Sequence, residues 1–88
     1  MARYYNNSVY RWVQTAIHEI TYDKGNIRML IEVPVIEEHV VAQLDREFGD
    51  NRRKFNNHEH WWRLMGGFVV RMWPAKNNTY SFSVFSDC

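Results

Sequence analysis

The chain holds one cysteine, and it is the last residue, Cys88. That excludes an internal disulfide and any zinc site built from paired cysteines. No stretch approaches the roughly 18 apolar residues of a membrane span, so no membrane partner is expected. Net charge is only +1, and the molecule as a whole therefore carries no polyanion-binding signature. The N-terminal MARYYNNSVY lacks the apolar core of a signal peptide, and the sequons at Asn6 and Asn77 are read as chance. A reducing, cytoplasmic location is the expectation. There is no internal repeat and no linker. There is no phosphate-cradling glycine loop either, because Gly66-Gly67 is followed by no Lys-Ser/Thr pair.

What the chain has in quantity is apolar and aromatic surface. Apolar residues make up 45% and aromatics 16%, enough to fold a core and not remain disordered. Eighty-eight residues make a single domain. A chain of this size buries a little over about 60% of its unfolded surface and reaches a stability of about 4–13 kcal/mol. A deep, closed active site is hard to build within that. Shallow surfaces, or a site shared across a homodimer, suit it better. Charge is uneven along the chain. Residues 1–45 carry four cations and six anions, net −2. Residues 46–76 carry Arg46, Arg52, Arg53, Lys54, Arg63, Arg71 and Lys76 against Glu47, Asp50 and Glu59, net +4. The asymmetry predicts a basic face on one side of the fold.

The patterning predicts an α+β domain: a four-stranded antiparallel sheet made of two hairpins, with one main helix across one face. In the first hairpin, VYRWVQTAIHEITY and IRMLIEV pair around a DKGN turn at 23–26, setting Ile20 opposite Met29 and Ala16 opposite Val33. The competing reading is a helix over residues 9–20 with the stripe Val9, Trp12, Val13, Ala16, Ile17 and Ile20. Its β-branched content, and Arg11 and Glu19 placed against the helix dipole, count against it. The main helix, about 36–48, shows the stripe Ile36, Val40, Val41, Leu44 and Phe48, with acids in its first turn and Gly49 beyond its end. Residues 58–65 suit a short helix capped by Asn57 that buries Trp61, Leu64 and Met65. A strand bent at Gly66-Gly67 is the alternative. The second hairpin joins FVVRMW to TYSFSVF around PAKNN. One of its faces carries Phe68, Val70, Met72, Tyr80, Phe82 and Val84. The other carries Val69, Arg71, Trp73, Ser81, Ser83 and Phe85.

Chemistry concentrates in DNRRKFNNHEHWWRLMGG, residues 50–67. His58 and His60 match no metal-ligand spacing, and neither a metal nor a cofactor is expected. His58, Glu59, His60, Arg53 and Arg63 are the toolkit of a small ribonuclease, but general acid–base work requires placed geometry and not composition. That reading ranks last. The leading expectation is a non-enzymatic binding protein for RNA or single-stranded nucleic acid. Arg52, Arg53, Lys54, Arg63, Arg71 and Lys76 would meet phosphates, while Phe55, Trp62 and Trp73 would stack on unpaired bases. The alternative is a protein-binding inhibitor or adaptor, of the kind that short phage accessory genes supply against a host enzyme or defence system. It would use the same Trp and Arg side chains as hot spots against a protein target.

Overall fold

The computed structural model describes residues 4–22 and 27–86. Helix α1 spans Tyr4–Tyr22 and strand β1 spans Arg28–Pro34. Helix α2 covers Glu37–Phe48, and a 3-10 turn at Asp50–Arg52 follows it. Strands β2 (Arg53–Asn56), β3 (Glu59–Arg63), β4 (Phe68–Pro74) and β5 (Thr79–Ser86) complete the chain. The sheet order is β1-β5-β4-β3-β2, antiparallel throughout. Strands β2 to β5 form a meander, β1 lies beyond β5, and both helices pack on one face. The α+β class with an antiparallel sheet and α2 across it is as the sequence predicts. No helix among the described residues is long and apolar enough to cross a membrane.

The first hairpin does not form; residues 4–22 are helix. The helical stripe Val9, Val13, Ala16 and Ile20 is almost wholly buried. Strand alternation would have put Val9, Val13 and Ile17 on the polar face and His18 inside. The helix buries more of the apolar residues, and tertiary packing outweighs their β-branched preference. Glu19 finds a partner beyond the helix, accepting a bond from Arg28 Nε at 3.0 Å. The DKGN segment at 23–26 lies outside the described residues. The sheet therefore has five strands and not four, because residues 53–56 and 59–63 supply two strands of their own.

Residues 58–65 are not a helix. β2 and β3 pair Arg53 with Trp62 through to Asn56 with Glu59, leaving Asn57 and His58 as a two-residue turn. Both sit at positive φ, 52° and 65°, the conformation such a hairpin turn requires and one that Asn and His tolerate better than most residues. The turn decides the register of everything after it. The second hairpin forms as predicted, with Val70 opposite Val84 and Met72 opposite Phe82. Asn77 and Asn78 turn its loop, again at positive φ, and Thr79 N–H closes it onto the Lys76 carbonyl. Helix α2 ends where predicted, at Gly49, whose N–H makes the final helical bond to the Asp45 carbonyl at 2.8 Å and whose φ of 98°, a conformation that favours glycine, turns the chain out of the helix.

The strand registers align into rows, which fixes which side chains share a face. Trp62, Val70 and Val84 form one row facing the helices. They join Val9, Val13, Ile20, Val40, Leu44, Met72 and Phe82 in the core. Lys54, Trp61, Arg71 and Ser83 form the adjacent row on the opposite face, where no described helix lies.

Candidate nucleic-acid interface

The basic cluster divides between the two faces of the sheet. Arg53 and Phe55 alternate with Lys54 and Asn56 along β2, and His60 and Trp62 alternate with Glu59, Trp61 and Arg63 along β3. On the helix side, Trp62 is fully buried, 0% exposed, so it is a core residue and does not stack on a base. Its indole N–H donates to Asp45 Oδ1 at 2.8 Å. Arg53 donates to the same carboxylate at 2.9 and 3.2 Å, so it ties α2 to β2 on the face opposite Lys54. Arg53 Nη1 lies 3.2 Å from His60 Nδ1. Arginine only donates, so Nδ1 accepts and His60 Nε2–H donates to Glu37 Oε2 at 3.0 Å. Tyr80 adjoins this chain of contacts. Burial, then the Glu37 charge and hydrogen bond, hold its phenol above the usual range. Phe55 is 56% exposed but covers His60 at 4.6 Å between ring centroids, on the face away from Trp73. The network is a polar clamp between α2 and the edge of the sheet.

The helix-free face carries the other residues. Arg71 donates twice to Glu59, at 2.9 and 2.7 Å. Its guanidinium lies 4.3 Å from the centre of the Trp73 ring and 5.1 Å from that of Trp61, within cation–π range of both. Phe85 meets Trp61 edge-on at 6.2 Å. The Arg71 bonds, opposed by burial and helped by a bond from Trp61, hold the Glu59 carboxyl below its ordinary value of 4.5. Glu59 in turn holds Arg71 above its ordinary value. This group rigidifies one aromatic patch, and Arg71 is committed to it.

Beside the patch, between β3 and the edge formed by β2 and the 3-10 turn, lies an open cleft of about 580 Å³. Trp61 and Val69 line it, and Arg52, Lys54 and Arg63 supply its cations. Asn51, Asn56 and Asn57 add three carboxamides. Glu59 is the one carboxylate among the described residues that line it, already bound twice by Arg71. Arg52 and Arg63 are linked, Arg52 Nη1 reaching the Arg63 carbonyl at 3.4 Å. Lys76 is exposed in the β4–β5 loop.

Of the predicted site residues, the structure thus gathers Arg52, Lys54 and Arg63 in the cleft and places Arg71 and Trp73 beside it. Arg53, Phe55 and Trp62 go to the opposite face. Trp61, which the helical reading buried with Leu64 and Met65, is the ring that lines the cleft, and Met65 is 79% exposed. Strict alternation through EHWWR was the signal that would have exchanged the two tryptophans. The ribonuclease set disperses as well. His58 is in the turn, Glu59 is bound to Arg71 on one face, and His60 is within the clamp on the other. No family model, curated protein or solved structure matches the chain.

Stability below neutral pH should report on Glu59. Its folded value lies below 4.5, so acid protonates the unfolded chain first. The stabilisation is present above about pH 4.5 and is lost as pH falls through the lower folded value. For a pair that is still 24–33% exposed, we expect Glu59→Gln to cost about 1 kcal/mol at neutral pH. The gap from wild type should close toward pH 3, as read by thermal melts across that range. A gap independent of pH would remove Glu59 from the acid limb.

Proposed function

We propose that the protein binds single-stranded nucleic acid, RNA foremost, on the helix-free face of the sheet. The observation that carries this is the cleft itself. Three cations, three carboxamides and a tryptophan share it, and the only carboxylate among the described residues that line it is engaged by Arg71. Cations hold a phosphate backbone, and rings on a sheet suit bases that are not stacked in a duplex. Neither property requires a catalytic group, and the dispersal of His58, Glu59 and His60 supports binding without cleavage.

Binding should be salt-dependent. Three or four phosphates, met by Arg52, Lys54, Arg63 and Lys76, give log affinity against log salt a slope of about −2 to −3 for a single strand. Fluorescence anisotropy of a labelled single strand and its duplex checks this. Flat salt dependence, or no binding of any oligonucleotide at low salt, rules the reading out.

A protein-binding inhibitor remains the second reading. It is favoured by β2, an edge strand whose outer side has no strand partner among the described residues and can accept an extended segment. That reading requires a stoichiometric protein complex that survives nuclease treatment.

A further inference from the structure

The cleft has features that a general phosphate-binding groove does not need. Its tryptophan is held in place before any ligand arrives. Arg71 lies over the Trp61 ring at 5.1 Å, and Phe85 meets it edge-on at 6.2 Å. A ring fixed in this way loses little freedom when something stacks on it. The cleft volume, about 580 Å³, falls within the range that holds a drug-sized molecule, and one nucleotide is of that size.

The carboxamides are the second feature. Asn51 sits in the 3-10 turn, Asn56 at the end of β2 and Asn57 in the turn after it. All three line the cleft, and none has a side-chain hydrogen bond to another described residue. Phosphates are served by the cations. A carboxamide offers an adjacent donor and acceptor, which is what reading a base edge requires. Asparagine pairs in this way with adenine, N–H to N7 and carbonyl to the N6 amino group. The Asn57 backbone is already held at a φ of 52° by the turn, which ties one reader to a fixed place.

From these we infer that the cleft is a one-base slot: an unpaired adenine stacks on Trp61, the asparagines read its edge, and Arg52, Lys54 and Arg63 hold the flanking phosphates. This rests on the nucleic-acid reading above and narrows it. A base within a duplex is excluded, because both its faces are stacked on neighbouring pairs and none is free to lie on Trp61, although its N7 and N6 edge stays open.

The test uses labelled homopolymers of about eight nucleotides, oligo(A), oligo(C) and oligo(U), titrated at about 50 mM salt where phosphate contacts are strong. Oligo(A) should bind about tenfold tighter than the others. Trp61→Ala should lower affinity for all three by about tenfold or more while leaving the salt slope unchanged. Trp61→Leu, which keeps apolar bulk against Arg71 and Phe85, should show the same loss and guards against misfolding. Asn56→Ala combined with Asn57→Gly, glycine being suited to the positive φ, should remove the preference for oligo(A) and retain binding. Equal affinity for the three homopolymers, or wild-type affinity in Trp61→Leu, overturns the slot while nucleic-acid binding stands. Failure of the wild type to bind any oligonucleotide overturns both.

Discussion

Trp62→Ala is expected to leave little folded protein at 37 °C, whereas the neighbouring Trp61→Ala folds. Trp62 is wholly buried among Val70, Val84, Val40 and Leu44. Burial of a side chain this large removes about 150–250 Å² from water, worth about 4–6 kcal/mol at the usual area coefficient. Truncation of such a residue costs about 3–5 kcal/mol, a large part of the about 4–13 kcal/mol available to a chain of this length. The loss also has a polar component. Asp45 accepts from both the Trp62 indole and Arg53, and without the indole one lone pair of a half-buried carboxylate has no partner. Trp62→Phe separates the two. It keeps most of the bulk and removes the N–H, with an expected cost of about 1–3 kcal/mol. Urea titration should show a lower midpoint with an unchanged slope for Trp62→Phe. A wild-type midpoint in Trp62→Ala would place this ring outside the core.

The contrast between adjacent tryptophans shows where the sequence is readable and where it is not. Helix α2 was legible because three signals agree over Glu37–Phe48: an apolar stripe, acids in the first turn and Gly49 at the end. The β4–β5 hairpin was legible because two alternating runs flank an Asn-rich loop, and the face bearing Arg71, Trp73 and Phe85 followed from parity alone. Residues 9–20 were not, because a β-rich composition and a helical stripe compete there, and only the helix layer over the sheet decides between them. Residues 58–65 failed for a related reason. The HEHWWRLM run fits both periods in so short a segment, and the deciding feature is the two-residue turn at Asn57-His58, which lacks the glycine that usually marks it. A one-residue change in phase exchanges the faces of Trp61 and Trp62, and the alternation of strand β2 itself puts Arg53 and Lys54 on opposite faces. The cationic run was visible as a run, but its division between a structural clamp and a binding cleft depends on Asp45, eight residues before Arg53 on another element.

That division makes a second large effect predictable. Replacing Arg52, Lys54 and Arg63 together by alanine should abolish most of the salt dependence of oligonucleotide binding. Each phosphate contact to a single strand contributes a slope of about −0.7, so three account for about −2. If affinities converge near 1 M salt, the triple variant should bind roughly 100- to 1,000-fold more weakly than wild type at about 50 mM. The three side chains are exposed, so thermal stability should change little compared with core substitutions. Arg53→Ala should behave in the opposite way. It removes a partner from Asp45 and His60 and should cost about 1–3 kcal/mol of stability, yet leave the salt slope unchanged among molecules that remain folded. Anisotropy titrations at several salt concentrations, paired with melts of each variant, distinguish the two patterns. A reduced slope in Arg53→Ala, or a full slope in the triple variant, would put the phosphate path on the helix side of the sheet, because adjacent residues of β2 point to opposite faces and one strand of phosphates does not follow both.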